Sequence, residues 1–395
     1  MKMAHFKDIL IKYTRTVGRS NEVDDMFFSA LLYQRLFGQQ VLDPKWTWRK
    51  YFVHQILILL LFVYVFIGTL HCLQTTGDVE LRGEACYTLI MIVMFPIKML
   101  IFINNRFIFR DLYLMAKTTL IDIVRADPST DLKSVLKTGK NIVLTLFLMV
   151  MIPCSIYELS TLWNYINGNR TLLSRSTNIL MPVTSPFYEF AWILHSFFLF
   201  EISSTIILDM WFVILIYFLC CAYDSLKKIL DVNKKAGYTG ASYSCRLNES
   251  LRKFYEVHDS LSRYLRKVGS MYKVLAFIPL CNAAFCTCLI LLLMSKDANW
   301  RFAPHMLPMF AEIFAYNWFG EHIKTKTNEL RLALLNFDWT YLNDRDKKSY
   351  YIIVTYMTKH FGMKTIGGMD LSLITMTSVL KISYQAFTVL QTIDA

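Results

Sequence analysis

Residues 367–395 read GGMDLSLITMTSVLKISYQAFTVLQTIDA, and this stretch decides the fold class. Gly367 and Gly368 interrupt the helical pattern before them, because glycine favours turns over a helix interior. The apolar run from Leu371 to Leu390 has about the ~20 residues that a membrane-spanning helix needs. Its many serine, threonine, lysine and glutamine side chains require that at least one face contacts protein or water. We therefore expect a membrane helix that lies at a subunit junction and lines a pore.

The composition indicates one membrane domain. The chain has 395 residues, of which 55% are hydrophobic and 15% aromatic, and this excludes a disordered chain and an ordinary soluble domain. Several apolar runs of about 20 residues recur along it. The formal net charge of +12 does not indicate a nucleic-acid partner, because the basic residues lie beside the apolar runs.

We expect an all-α membrane protein, a single domain over 1–395 with seven transmembrane helices. The predicted spans are about 53–73, 85–103, 142–162, 187–223, 274–294, 302–319 and 371–390, with cytoplasmic stem segments at about 224–273 and 320–366. The fourth run is too long for one crossing, so a single helix projecting into the cytoplasm is expected. Near Ser349 another helix is expected to begin and to continue to Gly367-Gly368, so that the last helix is split at a Gly-Gly break.

Basic residues set the predicted orientation. Lys and Arg are concentrated in four segments: nine in the amino-terminal segment, seven in the loop after span two, eleven in residues 227–273 and six in residues 324–348. The remaining loops hold one, two and two. The positive-inside rule then places the amino terminus in the cytoplasm and the carboxyl terminus outside. The first 50 residues are amphipathic and basic, which predicts short helices on the inner membrane surface in contact with lipid. Lys98, near the end of span two, is expected to extend its stem to the interface.

Two features concern the predicted outer loops. Asn169 opens an Asn-Arg-Thr glycosylation triplet, usable if its loop lies outside the cell. Cys72 and Cys86 flank the first outer loop and either pair or stay free. The nine cysteines show no zinc-ligand spacing, so no metal site is expected, and no cleavable signal is recognisable.

No common enzyme motif is present. The chain lacks GxSxG, HExxH, GxxxxGK[ST] and GxGxxG patterns, so we expect no enzymatic activity and no cofactor. Glu158, His195, Glu201 and Asp209 are the ionisable residues of spans three and four that could serve a membrane transporter or enzyme. Such residues more often satisfy a backbone group or each other.

Aromatic and methionine side chains in the outer halves of the spans predict a ligand site. A pocket lined in this way favours small, largely neutral organic molecules. Ordinary interhelical packing is the alternative for any one of these residues. The candidates are Tyr87, Met91, Tyr157, Phe190, Leu194, Phe197, Met306, Met309, Phe310 and Ile313.

The carboxyl-terminal third resembles the insect odorant receptor family. The resemblance rests on Tyr316–Gly320, Trp339, Gly368–Thr375 and Leu380–Thr388, and the seven-span layout agrees over the whole chain. It implies a ligand-gated cation channel in the plasma membrane of olfactory sensory neurons. In that family an odorant-binding subunit forms a hetero-tetramer with a co-receptor subunit. The ligand implied for this chain is a small volatile molecule. The short loop after span four implies the odorant-binding subunit, and a gustatory-type channel receptor of the same superfamily is the second reading.

The resemblance also implies which face of the last helix meets ions. The residue pattern alone allows three faces of this helix to line the pore: one of small side chains, one of polar side chains and one of bulkier side chains, each running as a stripe along the helix. When Tyr384 is aligned with the family, the constriction falls about one turn later, on the bulkier stripe, with Phe387 and Gln391 favoured. That stripe consists of Leu380, Tyr384, Phe387 and Gln391.

Overall fold

The computed structural model describes residues 16–19, 22–172, 181–231, 241–297, 303–358 and 362–394. Within these ranges the regular structure is helical, apart from one isolated antiparallel bridge between Lys364 and Asp370. The predicted all-α class is therefore confirmed.

Thirteen α-helices follow one another among the described residues. They are α1 (Glu22–Met26), α2 (Phe28–Leu36), α3 (Phe52–Thr75), α4 (Val79–Asn104), α5 (Arg106–Met115), α6 (Ile121–Arg125), α7 (Leu132–Ile166), α8 (Phe187–Asp231), α9 (Ala241–Leu275), α10 (Phe277–Asp297), α11 (Ala303–Leu335), α12 (Asp344–Met357) and α13 (Leu373–Asp394). A π-helical turn over Ala116–Leu120 joins α5 to α6, and a 3-10 turn over Trp339–Tyr341 precedes α12.

Six helices in the described ranges are long and apolar enough to cross a membrane. They are Phe52–Thr75, Leu81–Asn104, Leu132–Ile166, Phe187–Leu230, Tyr243–Ser295 and Leu373–Thr392. The helix predicted as span six, α11, has 33 residues but is less apolar. It carries Glu312 and Asn317 in the half expected to cross, and both are buried in the bundle. Packing against protein therefore satisfies polar groups that lipid would not.

The bundle is organised around α8. This helix runs without a break for 45 residues, ~68 Å at 1.5 Å per residue, which exceeds the ~30 Å hydrocarbon core of a bilayer. Helices α9 and α10 are almost continuous as well, since the Ala276 N–H at their junction still donates to the Tyr272 carbonyl at 2.8 Å. Helix α8 and the joined α9–α10 are thus each longer than a bilayer core is thick, and α8 packs against α9 and α11.

The amino-terminal segment over residues 22–50 packs into the bundle and so does more than rest on the membrane, whereas residues 1–15 lie outside the described ranges. The Phe27 ring lies 4.3 Å from the Trp211 ring of α8, and the Tyr113 hydroxyl donates to Asp24 at 2.6 Å. Leu31 and Leu42 are also in the buried core. This segment buries apolar side chains against protein, which explains why it alternates so strongly between apolar and basic residues.

The basic stretch after span two was predicted to be a loop, but most of it is helical. Phe109, Leu112 and Tyr113 form the buried face of α5, and Val124 continues it in α6. A turn follows α6, in which the Thr130 N–H donates to the Asp127 carbonyl at 3.2 Å.

The break before the last helix differs from the prediction in its length. Helix α12 ends at Met357 and does not reach Gly367-Gly368. The two glycines instead form the turn of a short hairpin, with Gly368 at a φ of 78°. The Leu371 N–H donates to the Met363 carbonyl at 2.9 Å across this hairpin. Extended backbone pairing therefore replaces the last turns of the expected helix.

Candidate functional site

Six of the ten predicted ligand residues meet in one buried cluster, which we call the outer cluster. Helix α10 completes it with Leu280, Cys286 and Ile290, and the last helix contributes Met376 and Val379. The six are Tyr87, Met91, Met306, Met309, Phe310 and Ile313. Sequence reasoning missed the α10 side of this cluster, because the cysteines and small residues of that helix carry no aromatic signal.

The other four predicted ligand residues lie elsewhere. Tyr157 of α7 is buried and within electrostatic range of Tyr87. Leu194 and Phe197 pack in a separate cluster with residues of α3 and α4. Phe190 is 55% exposed on the outside of the chain, so the structure does not place it in a pocket. Helical phase explains the difference, since four residues make slightly more than one turn and neighbours soon diverge.

A cavity of about 690 Å³ lies between α7, α8, α11 and the last helix, and we call it the lateral cavity. It shares Phe310 and Ile313 with the outer cluster. It extends further toward Phe319 and toward the start of α13, beyond the halves of the spans in which the ligand residues were predicted. Its lining residues are Thr138, Asn141, Ile142, Thr145, Leu146, Met149, Val213, Leu307, Phe310, Ala311, Ile313, Phe314, Ala315, Phe319, Met376 and Leu380.

A buried charge cluster joins α4, α8 and α11 beside this cavity. The Lys98 ammonium lies 2.8 Å from Asp209 Oδ2 and also pairs with Glu312. The Tyr316 hydroxyl donates to Asp209 Oδ1 at 2.5 Å. All four side chains are buried. The expectation that Lys98 reaches the interface is therefore wrong, because two carboxylates inside the bundle compensate its charge.

The charge cluster is the polar end of an otherwise apolar region. A small cavity of about 20 Å³ is bordered by Asp209, Glu312 and Tyr316. Its wall includes Met149 and Val213, which also line the lateral cavity. The two cavities therefore share a wall, and Asp209, Glu312 and Tyr316 border only the smaller one. The sequence signal for this cluster was one lysine and two acids in separate apolar spans, which must pair to remain buried.

The remaining ionisable candidates each have partners of their own. Glu158 accepts hydrogen bonds from the Trp192 indole at 3.0 Å and from the Ser196 hydroxyl at 2.9 Å. Glu201 accepts one from the Gln39 amide at 2.7 Å, and the ring of buried His195 lies 6.3 Å from that of Tyr64. In the part of the chain that the structure describes, no three His, Cys, Asp or Glu side chains could hold a metal ion. These residues are not gathered into one reaction site.

The last helix is mostly uncovered in the single chain. Only 11% of its most apolar stretch is buried, against 83% for α8. Ser383 is on the buried face, whereas Tyr384 is 58% exposed, with its ring 6.1 Å from that of Phe387. A helix with this many polar side chains cannot face lipid all round. Part of its exposed surface therefore requires water or another subunit.

Comparison with known proteins identifies the family. The family model described as 7tm odorant receptor matches residues 78–384, well over half of the chain. The chain belongs to the 7tm odorant receptor family.

Solved structures agree with this odorant receptor in fold. The insect olfactory receptor OR5 from Machilis hrabei matches with a TM-score of 0.69 and 14% identity, over 98% of this chain and 97% of that one. The same receptor in complex with eugenol matches with a TM-score of 0.68 and 14% identity, over 89% of this chain and 91% of that one. No curated protein sequence matches the chain significantly.

In this odorant receptor, α11 holds the start of the last helix directly. The Ser372 N–H donates to the Asn317 side-chain oxygen at 3.1 Å. Gly320 allows the close approach, because a Cβ there would lie 2.4 Å from the Leu371 carbonyl oxygen. The helix that lines the lateral cavity is thus also the helix that positions α13.

One predicted outer loop of the odorant receptor carries an exposed sequon, and two free thiols lie in the helices that flank the other, Cys72 in α3 and Cys86 in α4. Asn169 is exposed just after α7, where its N–H donates to the Asn164 carbonyl at 2.8 Å. Cys72 and Cys86 are both free, and Cys72 lies 3.7 Å from the Thr76 hydroxyl. Of the two alternatives, a disulfide or two free thiols, the structure therefore has the second.

Proposed function

We propose that this odorant receptor is the odorant-binding subunit of a non-selective cation channel in the plasma membrane of olfactory sensory neurons. A co-receptor subunit completes the hetero-tetramer. One observation carries the proposal: the lateral cavity is bordered on one side by Phe310 and Ile313 and on the other by Met376 and Leu380 of the last helix. A molecule in this cavity touches the ligand region and the pore helix together.

The proposed ligands are small, volatile and mostly apolar molecules. The volume of about 690 Å³ falls within the range of roughly 300–1,000 Å³ usual for small-molecule pockets. Burial of an apolar ligand there contributes about 25 cal/mol per Å². We place the ligand where the outer cluster and the lateral cavity meet, with Tyr87, Met91, Tyr157, Met306 and Met309 on the outer side.

The proposed gate is the bulkier stripe of α13. A ring of Phe387 side chains, one from each subunit, excludes water when the helices are close, and separation of the helices rehydrates it. Leu380, Tyr384 and Gln391 continue the same stripe. A ligand that binds the separated arrangement more tightly shifts the equilibrium toward it. The route runs from α11 through Asn317 to the start of α13.

The orientation is also part of the proposal. Lys and Arg are concentrated in the amino-terminal segment, the α5–α6 region and the stem, so these lie in the cytoplasm and the carboxyl terminus lies outside. Asn169 is then extracellular and carries sugar.

Whole-cell recording tests the function. Cells that express the chain with a co-receptor are exposed to a panel of volatiles during G-protein blockade. We expect currents within the panel that persist under the blockade. Currents that vanish under the blockade would show a metabotropic receptor and overturn the channel proposal.

A cavity-filling variant tests the ligand site. Ala311→Phe adds a ring at a position that lines the lateral cavity, so it should abolish or strongly shift the response to the best volatile. Phe190→Ala is the control, because its side chain is exposed on the outside of the chain. Equal surface expression is checked for both. A normal dose–response curve in Ala311→Phe would remove the lateral cavity from the ligand site.

A further inference from the structure

Two basic segments meet at one end of spans one and two. The Arg110 guanidinium of α5 donates to the Val41 carbonyl at 2.9 Å and to the Asp43 carbonyl at 2.6 Å. The Arg106 guanidinium lies 5.3 Å from the Trp46 ring. The segment before α3 and the start of α5 are therefore one surface. Because α3 begins at Phe52 and α4 ends at Asn104, this surface lies where both spans leave the membrane on the same side.

This surface carries a large excess of positive charge, and we call it the basic rim. Its cations are Lys45, Arg49, Lys50, Arg106 and Arg110. Its main acid, Asp43, is buried and already paired with Arg35 and with Lys50 at 2.7 Å. Among the described residues, Lys45, Arg49 and Arg106 take part in no ion pair, and Lys45 and Arg49 are exposed.

The electrostatics of the rim reflect this excess. Partial burial and the neighbouring Arg106 charge lower the pKa of Arg110. Asp111, which follows Arg110 in α5, pairs with Lys267 of α9 at 2.7 Å. The rim thus holds five cations close together around the carboxylate of Asp43, which compensates only part of their charge.

Exposed aromatic side chains lie among these cations. Trp48 is 45% exposed, Phe52 58% and Phe107 63%. The Arg106 guanidinium lies 4.5 Å from the centre of the Phe107 ring. Aromatic rings interleaved with arginine and lysine at the end of a membrane span are typical of contact with the headgroup region.

We propose that the basic rim is a binding site for anionic phospholipid headgroups, with Lys45, Arg49 and Arg106 as the phosphate-binding side chains. Arginine forks suit phosphate oxygens. Lys45 and Arg49 are exposed, whereas Arg106 is half-buried and donates from Nη1 to the Ile103 carbonyl at 3.3 Å, with further N–H groups left to donate. Trp48, Phe52 and Phe107 contact the upper acyl chains. The inference rests on the proposed orientation, which places the rim at the cytoplasmic leaflet where anionic lipids are concentrated.

The test uses the full chain assembled with its co-receptor and purified in detergent. Native mass spectrometry measures retained phosphatidylserine against retained phosphatidylcholine, each added in turn. For Lys45→Gln/Arg49→Gln/Arg106→Gln we expect the preference for phosphatidylserine to fall by about tenfold or more. The matched control is Arg252→Gln/Lys253→Gln/Arg263→Gln, which removes the same charge from exposed positions of α9 and should retain the preference.

Two outcomes would overturn the site. One is an unchanged phosphatidylserine preference in the rim variant; the other is an equal loss in the control variant, which would indicate net charge alone. Arg49→Lys/Arg106→Lys keeps the charge and should keep binding, so it serves if the neutral variant fails to assemble. Loss of added phosphatidylserine from the wild type at high salt is expected as well. Because the assay is done in detergent, a wrong orientation is detected separately, by antibody access to an amino-terminal tag on intact cells.

Discussion

Lys98 shows most clearly how single residues hold this bundle together. Its ammonium is buried between Asp209 and Glu312, which come from two other spans. A buried charge is tolerated only when it is paired and hydrogen-bonded. The cluster therefore fixes the relative positions of α4, α8 and α11, next to the lateral cavity.

Removal of one charge should be far worse than removal of all three. Lys98→Met leaves two acids without their cation, at a cost of about 3–5 kcal/mol, so surface expression and thermal stability should fall sharply. In Lys98→Met/Asp209→Asn/Glu312→Gln no buried charge remains, and most of that loss should be recovered. Fluorescence size-exclusion chromatography after heating measures both. Comparable stability of wild type and Lys98→Met would show that the three groups are not coupled.

Asp43 predicts a pH dependence of stability. Burial of its carboxyl acts to raise the pKa, but hydrogen bonds from Lys50, the Lys45 N–H and Arg35 outweigh it and hold the pKa at about 2, below the ordinary 3.8. The folded state thus favours the ionised form. The resulting stabilisation is fully present above about pH 4 and is lost as pH falls toward about 2.

The matching measurement compares Asp43→Asn with the wild type. The difference in melting temperature should stay constant between about pH 7 and about pH 5, because Asp43 is ionised throughout that range. A difference that shrinks over this range would mean that the carboxyl titrates near neutrality and is not held by its three donors.

Among the elements, α11 lies close against the start of the last helix, and the proposed route of gating passes through this junction. Gly320→Ala would place a methyl group against the Leu371 backbone, an overpacking that costs about 1–3 kcal/mol. We expect altered odorant sensitivity or loss of current. Gly269→Ala is the control, because a Cβ at this helical position meets nothing within 4 Å. Wild-type dose–response curves for Gly320→Ala would show that this contact does not transmit the ligand signal.

The elements also show what could be predicted from the sequence. Runs of apolar residues marked the long helices, because a bilayer requires them. The α5 helix was not predicted, because its basic residues are typical of a loop beside a membrane span and obscured the apolar face that Phe109 and Leu112 form. The outer cluster was predicted only in part. A high number of aromatic residues indicates which part of a helix binds a ligand, but not which side of the helix faces the pocket, and Phe190 proved to lie on the exposed side. The charge cluster could not be predicted from the sequence, because its members are far apart in the chain and only the fold shows which of them pair.

For the whole molecule, the direction of threading can be read from glycosylation. The proposed orientation places the loop of Asn169 outside. Asn248, which opens a second sequon, lies within α9, which the same orientation places in the cytoplasm. We expect Asn169→Gln to abolish the mobility shift produced by an endoglycosidase and Asn248→Gln to leave it intact. The reverse pattern would invert the topology.

The single chain also leaves its last helix uncovered. The proposed tetramer, in which four such helices surround an ion path, would account for this. The exposed polar and bulky side chains of α13 then have water on one side and neighbouring subunits on the other. A helix held at its start by Asn317 and otherwise little buried can move without disturbing the α8 core.

Cysteine modification of Phe387 tests that central claim most directly. In Phe387→Cys expressed with a co-receptor, a charged methanethiosulfonate reagent should change the odorant-evoked current, and faster when odorant is present. Ile382→Cys, 59% exposed on another face of the same helix, is the control and should respond little. If modification of Phe387→Cys leaves the current unchanged while the thiol is shown to be labelled, this face of the last helix does not line the pore.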